Sequence, residues 1–154
     1  MMKNILIAFA LAVASVAGLT QERPAPYIML ASVDAGKLVA DSSPEARRTK
    51  AALTRADARC IAPNGLHNQV ASVRNELVSK GAPTSNVELL EGLAGVLQGA
   101  GKKVDCAKLL GMYAVNRTNG DANMSTHTDV VLAMRSLAKS GVLGVAVEDA
   151  TAKP

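Results

Sequence analysis

The sequence predicts an all-α protein, a single small bundle of about five helices. Three observations carry this. Aromatic residues are nearly absent (Phe9, Tyr27, Tyr113 and no tryptophan), so alanine, leucine and valine must build the core. Small aliphatics favour closely packed helices over a β-sandwich, which draws on aromatic and β-branched residues. Apolar residues also recur at helical spacing in several segments, each opened by a capping residue. Hydrophobic residues make up 49% of the 154 and charged residues 19%, a composition that folds and suits one domain.

The opening MMKNILIAFALAVASVAGLTQ reads as a signal peptide. Lys3 supplies the positive start. The apolar run Ile5 to Leu19 falls short of the about 20 residues a bilayer span needs. Ser15 and Ala17 stand at −3 and −1 of a cut before Gly18. The expected plan is a signal segment at 1–17, an extended linker or arm at 18–43, a helical domain at 44–148 and a frayed tail at 149–154. In the arm, Pro24 and Pro26 favour extended backbone, and YIMLASV reads as a short strand or a hydrophobic arm.

The first expected helix is SPEARRTKAALTRADARC. Ser43 is its N-cap, Pro44 suits the first position, and Glu45 complements the positive end. Leu53, Ala56 and Cys60 share a face; Arg48, Arg55 and Arg59 share another. In LHNQVASVRNELVSKGAP, Leu66, Val70, Val73 and Leu77 form a stripe, and Gly81 with Pro83 ends the helix. The next begins with a capping box, Ser85 to Glu88, and turns Leu89, Leu90, Leu93, Val96 and Leu97 inward. Gly92, Gly95 and Gly99 weaken it by about 1 kcal/mol each where interior, which implies close approach of a neighbouring helix. Asp105 caps a helix burying Cys106, Leu109, Leu110 and Tyr113. NRTNGDAN is a polar loop. Thr126 and Asp129 open a last helix with Val130, Ala133, Met134 and Leu137 inward and Gly141 at its end. VLGVAVED is a short strand or a packed tail.

Two cysteines in an exported chain predict one disulfide, Cys60 to Cys106. It would close a loop of about 46 residues and contribute roughly 2–4 kcal/mol. The expected compartment is therefore periplasmic or secreted, with no stable membrane span after processing.

Charge gathers in two blocks. Residues 44–60 hold Arg47, Arg48, Lys50, Arg55 and Arg59 against Glu45 and Asp57; residues 102–117 hold Lys102, Lys103, Lys108 and Arg117 against Asp105. A Cys60–Cys106 bridge would draw the blocks together. Arg55, Arg59, Lys102, Lys103 and Lys108 are thus the candidate partner-binding residues, toward a protein or an anionic envelope component. The shortage of rings argues against a base-stacking nucleic-acid module.

Catalytic and metal signals are weak. Cys60, His67, Cys106 and His127 match no zinc spacing. The loop with Asn119, Asp121 and Asn123 puts Arg117 and Thr128 where calcium ligands are required. Ser125, His127 and Asp129 splay at a helix start, whereas a triad converges. No catalytic residue, metal or cofactor is assigned. The alternative functions are a small thiol or hydrolytic enzyme using Cys106 with His67 or His127, and a structural subunit docking through residues 18–43. Sequons stand at Asn116 and Asn123.

Overall fold

The computed structural model describes residues 23–119 and 126–144. Six helices and one two-stranded parallel sheet lie among them: α1 (Pro26–Ala35), α2 (Pro44–Asp57), β1 (Cys60–Ile61), α3 (Leu66–Ser79), α4 (Asn86–Val96), β2 (Val104–Asp105), α5 (Cys106–Thr118) and α6 (His127–Lys139). The protein is all-α, as the sequence predicts. The signal segment, Asn123, Ser125 and the tail beyond Gly144 lie outside the described residues. Among those described, no helix is long and apolar enough to cross a membrane.

Local chemistry sets most helix ends. The Ser43 hydroxyl accepts from Ala46 N–H, and Pro44 stands where its missing amide costs nothing. Ser85 with Glu88, and Thr126 with Asp129, form complete capping boxes. After α3, Gly81 at φ 74° lets Ala82 N–H reach Leu77 O and Gly81 N–H reach Val78 O, a Schellman stop.

α4 is the hub and packs against all five other helices. That explains a helix apolar nearly all round, with Leu89, Leu90, Leu93 and Val96 buried and Leu97 following them. Its glycines admit a neighbour, α6. A Cβ on Gly92 would stand 2.9 Å from Val131 Cγ2, and one on Gly95 would stand 2.5 Å from Arg135 Nη2. The close approach compensates the weak propensity. Gly99 lies beyond the helix end, at φ 83°.

Three expectations change. First, the segment read as an extended arm contains α1. Pro26 occupies the first turn, where proline fits, and Gly36 closes the helix in the left-handed conformation. Leu30 and Ala31 are buried, and the helix packs on α2 and α4. Asp34 fastens it. Its carboxylate accepts from Asn86 N–H at 2.8 Å and Val87 N–H at 3.0 Å, the open start of α4. Second, α6 buries Val130, Met134 and Ala138 and exposes Ala133. The stripe follows i, i+4, i+8 because Val131 and Arg135 are turned onto the glycines of α4. Third, α5 runs through Thr118, so Asn116 stands on a helix and not in a loop. Its side-chain amide donates to Met112 O, and the Thr118 hydroxyl donates to Ala114 O.

Candidate functional site

The candidate site begins at a backbone pairing that the periodicity did not reveal. α2 ends at Asp57, and the chain extends for two residues as β1. Val104 N–H then donates to Arg59 O at 2.9 Å, placing β2 parallel to β1 with Cys60 opposite Val104 and Ile61 opposite Asp105. α5 starts at the next residue. Cys106 therefore faces Cys60, and the two form a disulfide with Cα atoms 5.3 Å apart. Both cysteines are buried.

This pairing brings the two basic blocks together. The Arg59 guanidinium donates to Ala100 O at 2.6 Å and so anchors the loop that carries Lys102 and Lys103. Lys103 Nζ donates to Asp57 O at 3.4 Å, a cation at the negative end of α2. Lys102, Lys103 and Lys108 then line one side of a groove of about 440 Å³. Leu109, Met112, Val142 and Leu143 line the rest. Val142 is 70% exposed, so the groove has an apolar rim as well as an apolar floor. Among the described residues, no salt bridge joins these lysines to a carboxylate. Asp105, the acid inside the groove, is engaged elsewhere: its Oδ1 accepts from Ala107 N–H and Lys108 N–H at the start of α5.

The five predicted basic residues divide by role. Arg59 and Lys103 hold the α2–β1 and β2 chain ends. Lys102 and Lys108 are exposed along the groove and carry no side-chain bond among the described residues. Arg55 stands one turn earlier on α2, where its charge acts on Glu91 of α4. Sequence reasoning found the lysines through charge blocks and a cysteine pair. It missed the apolar lining, because Val142 and Leu143 follow α6 and meet Leu109 and Met112 of α5 only in three dimensions.

A second polar cluster lies around α4, α5 and α6, away from the disulfide. The Tyr113 hydroxyl bonds His127 Nδ1 at 2.7 Å, and their rings are tilted with centroids 5.7 Å apart. Burial pushes the Tyr113 phenol up, against the opposing pull of Thr84 and Arg117. Burial lowers the His127 imidazole; Glu88 and Glu91 oppose that, and Arg117 adds to it. Both shifts favour the neutral forms, so the bond joins a protonated phenol and a neutral imidazole at neutral pH. Arg48 grips Glu91 with two bonds, Nε to Oε1 at 2.9 Å and Nη2 to Oε2 at 2.7 Å, joining α2 to α4. The space enclosed by Leu89, Gly92, Tyr113, Val131 and Met134 is about 10 Å³, room for a single water.

The alternative chemistry finds little support in this geometry. Bonded to Cys60, Cys106 offers no thiolate in the oxidised chain. His127 is committed to Tyr113. His67 stands at the start of α3, its ring against Gly65, whose φ of 81° only glycine adopts readily. No group of three or more His, Cys, Asp or Glu residues suited to a metal ion occurs among the described residues. Compared with protein-family models, with curated proteins and with solved structures, the chain has no match.

Proposed function

We propose that this chain is an exported, disulfide-locked helical domain that binds an anionic partner at the groove of Lys102, Lys103 and Lys108, without catalysis of its own. One observation carries the reading. A disulfide and a strand pairing hold two basic segments side by side, and among the described residues the resulting lysines stand along a concave surface without carboxylate partners. Structural salt bridges elsewhere use their acids: Arg48 with Glu91 and Lys80 with Glu76. Arg59 and Lys103 shape the groove, Lys102 and Lys108 meet the ligand, and Arg55 extends the positive field along α2. The disulfide is the support for an oxidising compartment, periplasmic or extracellular.

Two measurements test this. The intact mass of protein from its native source, alkylated with and without reduction, reports the compartment. A chain lacking residues 1–17 whose thiols react only after reduction supports export; a full-length chain with two alkylated thiols removes it. The groove is tested with Lys102→Glu and Lys108→Glu together. The wild type should bind an acidic polypeptide such as polyglutamate with an affinity that falls as salt rises. Salt-sensitive binding that survives the double replacement would place the partner elsewhere.

A further inference from the structure

Both residues of β2, Val104 and Asp105, line the groove. Val104 directs its amide toward β1, where it donates to Arg59 O. In a strand the neighbouring residues point their backbone groups the other way, so Lys103 C=O and Asp105 N–H face away from β1. Among the described residues β2 is therefore an edge strand, and Lys102, Lys103, Asp105 and Lys108 line the groove with it. Beside that edge lie Leu109, Met112 and Leu143.

We infer that the groove takes an extended, acidic polypeptide segment of a partner protein, which pairs with the edge of β2 as a third strand. The inference rests on the lysine groove being the binding site. Each chemical feature of the groove has a counterpart in such a segment. Its backbone bonds Lys103 C=O and Asp105 N–H, which no headgroup or phosphate polymer can match in register. Alternate side chains of a strand point to opposite sides. Carboxylates on one side then meet Lys102 and Lys108, and apolar residues on the other cover Leu109, Met112 and Leu143. A purely ionic ligand would satisfy the lysines and leave that apolar surface in water.

The experiment uses the oxidised chain and a fluorescein-labelled peptide of alternating valine and aspartate, read by anisotropy. Its companions are the same peptide with alternate amides N-methylated along one edge, in both registers, then phosphatidylglycerol vesicles, and inorganic polyphosphate. The parent peptide should bind, and N-methylation along the pairing edge should weaken it roughly tenfold through lost backbone bonds. Replacing Lys102 and Lys108 by Glu should weaken the parent peptide by about tenfold or more. Far-ultraviolet circular dichroism of that variant confirms an intact fold, which two exposed side chains should leave unchanged. If both methylated peptides bind as tightly as the parent, strand pairing is wrong and the lysine site stands. If only vesicles or polyphosphate bind in a lysine-dependent way, the polypeptide is wrong and the site again stands. If no anionic ligand depends on the lysines, both readings fall.

Discussion

The Cβ that Gly92 lacks decides how α6 meets α4. An alanine there would gain about 1 kcal/mol of helix propensity. Its methyl would press on Val131 Cγ2 at 2.9 Å and His127 Cε1 at 3.2 Å, and Val131 is β-branched and cannot rotate aside easily. Overpacking of this kind costs about 1–3 kcal/mol, so Gly92→Ala should lower the denaturant midpoint. Gly95→Ala is the contrast. Its methyl meets only the far end of the Arg135 guanidinium, and the swing that clears it gives up the Arg135 Nε bond to Gly95 O at 3.1 Å, so the gain in propensity offsets that loss and stability should change little. Equal loss in both variants would mean the glycines matter for some reason other than close approach. His127 supplies a second residue-scale test. Its folded imidazole titrates below the about 6.5 of an unfolded one. Between those values the unfolded state binds the proton more readily, so stability present above about pH 6.5 is lost as pH falls through the window. The groups facing the ring are Glu88 and Glu91 on α4, and Tyr113 and Arg117 on α5. The melting temperature of His127→Gln should therefore change less than that of wild type from pH 7.5 to 5.5. Glu88, held low by the Ser85 backbone amide, and Glu91, held low by Arg48, cause a further loss nearer pH 4 in both proteins. Parallel profiles in the upper window would remove His127 as the source. The glycine effect was legible in the sequence, since Gly92 and Gly95 in an apolar helix ask for a neighbour. The Tyr113–His127 bond was not, because its partners belong to different helices.

At the scale of elements, what could be read locally was read well. Capping boxes and helix stops depend on residues within five positions of each other, and Ser85–Glu88, Thr126–Asp129 and Gly81 all perform as their spacing predicts. α1 escaped for a specific reason. Pro24 and Pro26 read as extended, yet proline is also a favoured first residue of a helix, and Gly36 marks its end. The decisive contact is distant: Asp34 of α1 caps α4, 52 residues away. That cap makes its own prediction. Asp34→Ala removes the acceptor of Asn86 N–H and Val87 N–H and of the buried Asn86 side-chain amide at 2.9 Å. The loss should be about 1–3 kcal/mol, with α1 amides losing exchange protection ahead of the other helices. Asp34→Asn keeps one carbonyl acceptor and should lose less. Unchanged protection of α1 in the alanine variant would show that Leu30 and Ala31 hold the helix without the cap.

For the whole molecule, the Cys60–Cys106 bridge has two separable consequences, stability and site geometry. The cysteine pair was legible from compartment logic alone. The two-residue strands beside it were not, since no periodicity exists in so short a run. The bridge closes a 46-residue separation, for which chain entropy suggests roughly 2–4 kcal/mol. Cys60→Ala with Cys106→Ala should therefore lower the melting temperature by several degrees. Any core substitution can do that. The particular role claimed for the bridge is to keep β1 against β2, and with them Arg59 near Ala100 and Lys103 near Asp57. Asp34→Ala supplies the control, because it loosens α1 on α4, and neither helix contributes to the groove lining. At a temperature where both variants remain folded, the cysteine variant should bind the acidic peptide several-fold more weakly, and Asp34→Ala should bind it as wild type does. Equal affinities across all three proteins would confine the bridge to stability. Equal weakening in both variants would tie binding to overall stability and remove the disulfide as the organiser of the lysine groove.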